Sequence, residues 1–300
     1  MQQLKKIWLD GRLVDWQDAQ IHILTHTLHY GSGVFEGIRC YKTNKGPAVF
    51  RLKEHIERLF YSASVLEMAL PFSKEQIEQA VLQTIKVNEI EECYVRPLIF
   101  FGDKMGLNPK GAPLHIAIAV WPWEAYLGGK EAVSVKISKY MRMHPGSANI
   151  KAKICGYYAN SILASLEAHK ENFDEALFLD YEGSVAEGPG ENIFFVEQGK
   201  ILTPAGDNIL AGITRESVLK IARDLGITTS QEKISPQRAK LADEAFFTGT
   251  AVEVRPIGKI DEALISKGKP GEITKLIKRV FEQAVRGDKD NYLFWLTFIK

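Results

Sequence analysis

A chain of 300 residues with an apolar share of 45% is long enough to fill two ordinary hydrophobic cores. Its 38 basic and 37 acidic side chains leave a formal net charge of +1, which excludes the strong field that draws in nucleic acid or an anionic membrane and favours a small-molecule partner. Three cysteines without C-x-x-C spacing, Cys40, Cys93 and Cys155, argue against a disulfide framework or a thiolate metal site. No apolar run approaches the roughly 20 residues that span a bilayer, and "MQQLKKIWLDGRLVDW" lacks the apolar core of a secretion signal, so a cytoplasmic protein is expected.

The opening "IWLDGRLVDW" sets Asp10-Gly11 between two short apolar runs, the signature of a hairpin with a type I′ turn. In "RLKEHIERLFYSASVLEM" the apolar residues Leu52, Ile56, Leu59, Phe60, Ala63 and Leu66 recur at helical spacing, with Glu54, Glu57 and Arg58 off the main stripe. Ser73 and Gln76 form a capping box ahead of a second helix carrying Ile77, Ala80, Val81 and Ile85. "ECYVRPLIFFG" and "PLHIAIAVWPW" read as strands, and period-two alternation puts Tyr94 and Arg96 on one face. Pro122, Gly128 and Gly129 then mark residues 122–131 as a linker between a smaller domain, 1–121, and a larger one, 132–300.

The second half continues with a strand at "AVSVKIS", a helix through "ANSILASLEAHKE", a hairpin-like run at "EALFLDYEGSVAEG", and strands joined by a turn at Gln198-Gly199. Helices follow at "TRESVLKIARDLG" and "SPQRAKLADEA", with Thr214 and Ser235 as N-caps and Pro236 at the first helical position, and a last one at "EITKLIKRVFEQAV". Strands and helices come in clusters rather than strict alternation, so the expected class is α+β, two domains with largely antiparallel sheets.

Four stretches carry chemistry. Lys151 and Lys153 stand in the small and apolar segment "ANIKAKICGYYA". A desolvated lysine there becomes nucleophilic, although the stretch alone reads more readily as an ordinary surface strand with both lysines facing water. "LAGITRES" offers free N–H groups around Ile213 and Thr214 at a helix mouth, and "FFTGTAVE" a small turn with the Thr250 hydroxyl; both suit a phosphate. "VAEGPGENIF" holds Glu187 among small residues, and its glycines miss the dinucleotide fingerprint because Ile193 stands where the third Gly belongs. A lysine, two phosphate cradles and a sheltered carboxylate together make the inventory of a pyridoxal 5′-phosphate site.

Beyond this inventory, "THTLHYGSGVFEGIR", "KGPAVFRLKEHIERL", "YVRPLIFFG", "EGPGENIFFV", "GITRES" and "FFTGTAVE" occur in an order that resembles the branched-chain amino acid aminotransferases, of fold type IV among pyridoxal phosphate enzymes, along nearly the whole chain. The resemblance implies that Lys153 forms the Schiff base with the cofactor, that Tyr158 lies by its phenolic oxygen and Glu187 on its pyridine nitrogen. It implies that Arg58, Ile213, Thr214 and Thr250 hold the phosphate. The implied substrate pocket comprises Tyr30, Phe35, Gly37, Tyr94, Arg96, Trp123, Tyr126, Thr250 and Ala251, with Met105 and Leu107 supplied by the other subunit of a homodimer. Tyr157 and Arg255 depart from the family's usual residues. The implied partners are amino acids and 2-oxo acids, and the implied reaction is transamination of leucine, isoleucine and valine with 2-oxoglutarate. A D-amino acid transaminase, an aminodeoxychorismate lyase and a non-catalytic carrier of the cofactor are the competing readings.

Overall fold

The computed structural model describes residues 4–123, 130–206 and 208–299. It divides into two compact units, the first formed by 1–124, 152–157 and 284–300 and the second by 125–151 and 158–283. This differs from the sequence boundaries in two places. Residues 152–157 belong with the first unit because Ala152 and Ile154 are buried in its core, so Lys153, expected in the C-terminal domain, is part of the first unit. The chain's last strand also returns to the first unit.

The first unit is built on an antiparallel sheet. Its strands are β1 (Lys6–Leu9), β2 (Arg12–Asp15), β3 (Gly33–Phe35), β4 (Ile38–Thr43), β5 (Gly46–Phe50), β6 (Cys93–Phe101) and β7 (Leu114–Trp121), with β16 (Leu296–Phe298) at one edge. The order is β16-β5-β4-β6-β7-β1-β2, with β3 paired to β6. Asp10 and Gly11 adopt φ of 49° and 92°, the two positive values that a type I′ turn requires. Besides the short α1 (His26–Tyr30), two helices pack here, α2 (Leu52–Val65) and α3 (Lys74–Val87). The α2 residues Leu52, Ile56, Leu59 and Ala63 meet Ile77, Val81 and Ile85 of α3 and the inward side chains Ile38, Val95, Ile99 and Ile118 in one core. The expected capping box is present: the Ser73 hydroxyl accepts from Gln76 N at 3.3 Å while Ser73 N donates to the Gln76 amide oxygen at 2.8 Å.

The second unit holds a mixed sheet of β8 (Val133–Ile137), β9 (Glu175–Leu177), β10 (Asn192–Glu197), β11 (Lys200–Pro204), β12 (Thr229–Glu232), β13 (Glu244–Gly249), β14 (Glu253–Ile260) and β15 (Ala263–Leu264). Its order is β12-β11-β10-β13-β14-β8-β9, with β15 on β14. The β11–β12, β14–β8 and β8–β9 pairs are parallel and the others antiparallel. Helices α4 (Tyr158–Lys170), α5 (Ile213–Asp224), α6 (Pro236–Lys240) and α7 (Glu272–Val285) belong to this half of the chain. The α4 alanines Ala164 and Ala168 bury against Ala176 and Phe178.

Two helix starts differ in outcome. Ser235 caps α6 by accepting from Arg238 N at 3.2 Å, with Pro236 in the first turn, yet α6 stops at Lys240 and β13 begins at Glu244. Thr214 is not a cap: Gly212, in extended conformation, precedes α5, and Thr214 is buried as its second residue. Among the described residues no helix is long and apolar enough to cross a membrane.

Candidate active site

The site in the first unit is organised by the second face of α2. Next to the apolar stripe, His55, Arg58 and Ser62 follow one another at spacings of three and four, which aligns them on the helix. His55 and Arg58 face Glu36, the residue after β3, whose side chain is fully buried. Its carboxylate accepts from Arg58 Nε at 2.6 Å and Nη2 at 2.9 Å, the two-pronged geometry of guanidinium and carboxylate, and is bonded to His55 Nδ1 at 2.8 Å. A buried carboxylate survives only when so paired. Burial pushes the Glu36 carboxyl up, but the Arg58 guanidinium, the Lys153 ammonium and His55 outweigh it and hold it well below the usual carboxylate range. Burial pulls His55 down, with Arg58 and Lys153 adding to the effect against the opposing pull of Glu36.

Lys153 is half-buried beside this cluster, whereas Lys151 is exposed. Its backbone is fixed from both sides: Lys153 N donates to the Ser62 hydroxyl at 2.8 Å, and Lys153 O accepts from Phe35 N at 3.1 Å. Ile154 forms an antiparallel bridge with Val34, and Gly156 N donates to Gly31 O at 3.0 Å, anchoring the 3-10 turn of Cys155–Tyr157. The Lys153 Nζ lies 5.4 Å from the centre of the Phe35 ring.

That ring is one wall of an aromatic enclosure around Arg96. The guanidinium carbon is 4.6 Å from the Phe35 centroid, 5.5 Å from Tyr94 and 5.8 Å from Trp121, distances at which the charge is attracted to the ring faces. Tyr94 in turn stacks on Trp123 at 4.4 Å. Burial raises the Tyr94 phenol above its ordinary value, and the positive charge of Arg96 opposes the rise. Gly37 closes the enclosure: a Cβ there would stand 1.9 Å from the Tyr94 hydroxyl, so no larger residue fits. Phe35, Gly37, Tyr94, Arg96 and Trp123 are thus assembled within one unit, and Trp121 joins them.

Tyr30, Met105 and Leu107 form a separate, exposed group. The Tyr30 hydroxyl accepts from Gly106 N at 3.4 Å and its ring packs on His26 at 4.5 Å, while Met105 and Leu107 are 51% and 85% exposed. Tyr126 lies outside the described residues.

In the second unit, Glu187 is buried at the centre of a donor set. Arg142 Nε donates to it at 2.8 Å, Asn192 Nδ2 at 3.0 Å and Leu210 N at 3.1 Å. Asn192 also donates to Leu210 O and pairs with Thr248 across β10 and β13, and Gly212, at the mouth of α5, lies against its amide oxygen. Ile213 and Thr214, both buried, open α5. Thr250 and Ala251 form the tight connection between β13 and β14, and Tyr158 opens α4, all three half-buried. Of the two departures, Tyr157 packs on the core of the first unit, and Arg255 Nη1 donates to Lys130 O at 2.9 Å.

Six participants escaped the sequence reading: Glu36, His55, Ser62, Trp121, Arg142 and Asn192. Glu36 carried a faint signal, a charge within the otherwise apolar run "GVFEGI", whereas His55, set among Lys53, Glu54 and Glu57, and Arg142 carried none.

Residues 33–260 match the amino-transferase class IV family. A branched-chain-amino-acid aminotransferase of Pseudomonas aeruginosa is 43% identical over 298 residues, covering 98% of this chain and 97% of that protein. The crystal structure of a branched-chain aminotransferase from Thermoproteus uzoniensis with norvaline superposes with a TM-score of 0.95 at 41% identity, covering 99% of this chain and 100% of that one. That of the Escherichia coli branched-chain amino acid aminotransferase superposes equally well, TM-score 0.96 at 38% identity, with 99% of this chain and 100% of that one covered. Antiparallel-rich sheets, a lysine lodged against a buried ion pair and relatives of this likeness over almost the full length agree: the chain belongs to the class IV aminotransferases, among the branched-chain-amino-acid aminotransferases.

Proposed function

We propose that this enzyme moves the amino group of leucine, isoleucine or valine to 2-oxoglutarate with pyridoxal 5′-phosphate as its resident cofactor. The observation that carries the reading is the aromatic enclosure with a single guanidinium inside it. Aromatic walls reward a branched aliphatic side chain, and the same space accepts the second carboxylate of glutamate only because Arg96 meets it. Among the described residues, Arg96 Nε is buried with no hydrogen-bond partner in the protein, which suits a bound carboxylate.

The donor set also fits the cofactor. Glu187 would accept from the pyridine nitrogen, its position held by Arg142, Asn192 and the Leu210 amide; Tyr158 would face the phenolic oxygen. Arg58, Ile213, Thr214 and Thr250 would hold the phosphate, Arg58 from a guanidinium whose orientation its two bonds to Glu36 fix. When bound, pyridoxal phosphate supplies a carbonyl that takes up the amino group and an electron-withdrawing ring that eases loss of the substrate's α-proton. Lys153 Nζ would remove that proton and return it on the other side of the nitrogen. Tyr30, Met105, Leu107, Tyr126, Thr250 and Ala251 complete the proposed pocket. Exposure of Met105 and Leu107 supports their service to the site of a second subunit in a homodimer.

An absorbance spectrum of the purified protein tests the reading. A visible band that fades with leucine and returns with 2-oxoglutarate is expected; a colourless protein to which pyridoxal phosphate adds no such band overturns it.

A further inference from the structure

Glu36 is not among the residues proposed to touch cofactor or substrate, yet it is the most deeply buried charge in the first unit's cluster, with a side chain 0% exposed. We propose that Glu36 is a positioning residue which, through its bonds to Arg58 and His55 and its closeness to Lys153, sets how readily Lys153 gives up its ammonium proton. The inference rests on Lys153 being the reactive amine.

The backbone allows Glu36 little freedom to move away from the lysine. Phe35 N donates to Lys153 O at 3.1 Å, and Glu36 N donates to Pro97 O at 3.0 Å. The strand end carrying the carboxylate is therefore tied to the lysine segment on one side and to β6 on the other. The carboxylate is divided between Arg58 and His55 by bonds of 2.6, 2.9 and 2.8 Å, so it has one orientation.

Among the described residues of the first unit, the titratable groups around Lys153 and Glu36 come from three elements: Arg58 and His55 from α2, Tyr94 and Arg96 from β6, and Cys155 from the lysine's own turn. Arg96 and Lys153 share the Phe35 ring, at 4.6 and 5.4 Å. Burial keeps His55 and Tyr94 in their neutral forms and raises the Cys155 thiol to about 11. Among these groups of the first unit there remain two guanidinium ions that repel the lysine's ammonium form and one carboxylate that attracts it. The nearer such a charge lies to the amine, the more it shifts the amine's hold on its proton. The mutual attraction is visible from the other partner, since the Lys153 ammonium helps hold Glu36 ionised. His55, uncharged, orients the carboxylate without adding to the balance.

The test is the pH dependence of Lys153 acylation by acetic anhydride in the full-length protein without cofactor, read by mass spectrometry of the lysine peptide. Glu36→Gln removes this attraction, and its midpoint is expected to fall by about one pH unit or more, tenfold in reactivity at a fixed pH below the midpoint. Arg58→Gln removes a repulsion and should move the midpoint up, and His55→Gln should move it least. Opposite signs distinguish electrostatics from loosening, which would shift both variants in the same direction. An unchanged midpoint in Glu36→Gln, or parallel shifts, overturns the proposal; should Glu36→Gln fail to fold, a midpoint that does not rise in Arg58→Gln overturns it. With pyridoxal phosphate bound, the pH midpoint of the visible absorbance should follow the same signs. If that band never forms in the unaltered protein, the proposed function falls while the acylation profile still decides the role of Glu36.

Discussion

Replacing Arg96 by methionine separates the two substrates that one pocket is proposed to accept. The methionine side chain occupies much of the space of the arginine stem, so the walls formed by Phe35, Tyr94 and Trp121 should keep their positions. Removing three cation–ring contacts, at 4.6, 5.5 and 5.8 Å, weakens the fold by roughly 1–2 kcal/mol, a loss that thermal unfolding reads directly. The larger effect falls on glutamate and 2-oxoglutarate. Their second carboxylate would lose a charge-assisted contact worth roughly 2–5 kcal/mol, so their kcat/KM should drop by about 30-fold to a few thousandfold. The leucine half-reaction, whose side chain asks nothing of the guanidinium, should change by less than about threefold, under 1 kcal/mol. Mixing the cofactor-loaded enzyme with each amino acid in single-turnover experiments measures both. Equal losses for leucine and glutamate would refute the reasoning, because Arg96 would then bind the α-carboxylate common to both and the substrate would lie the other way round.

Three more outcomes follow from the site. Lys153→Ala should lose at least the roughly 10²–10⁴-fold that a placed acid–base group contributes, while Lys151→Ala, altered at an exposed position, keeps most activity in a steady-state assay with leucine; equal loss would move the nucleophile to Lys151. Glu187→Gln should bind pyridoxal phosphate yet turn over about 10²-fold more slowly or worse, since the carboxylate is proposed to keep the ring electron-poor; near-normal kcat would place the ring elsewhere. Stability should fall with acid in two windows. His55 binds its proton less tightly folded than unfolded, so stability declines as pH drops below the ordinary histidine value of 6.5 toward the folded one. The contribution of Glu36, whose folded value is depressed, is complete above the ordinary carboxylate value of 4.5 and is lost as pH falls below that toward and through the folded value. His55→Gln should flatten the fall in Tm between about pH 7 and about pH 5; a curve parallel to that of the unaltered protein in circular-dichroism melts would contradict the assignment.

Local signals carried the reading furthest where structure is decided locally. Asp10-Gly11, the Ser73–Gln76 box and the periodic faces of α2 and α3 are all short-range devices, and all formed. Thr214 misled because a threonine before an apolar stripe resembles a cap, whereas Gly212 already supplies the extended residue from which α5 starts. The strand β12 was invisible since its residues, Thr229–Glu232, are polar and it pairs at the sheet edge. In the site, resemblance to a known family singled out Lys153 and Glu187, and the partners of each stayed hidden. Glu36 looks like a solvent-facing strand residue, and His55 and Arg58 like the wet side of an amphipathic helix. Only the arrival of a segment more than ninety positions away, with Lys153 N on Ser62, turns that side into an interior.

The antiparallel pairing of Leu296, Thr297 and Phe298 with Phe50, Val49 and Ala48 bears on how the protein is made. Contacts between residues so far apart in sequence close late and slow folding. On the ribosome, α2, α3 and most of their sheet emerge early, but β5 keeps an unpaired edge of backbone donors and acceptors until the whole second unit has been synthesised. Such an edge invites pairing with a neighbouring nascent chain. Shortening the message so that translation stops before Leu296 should therefore send the product into inclusion bodies, although every residue proposed to touch cofactor or substrate would already have been built.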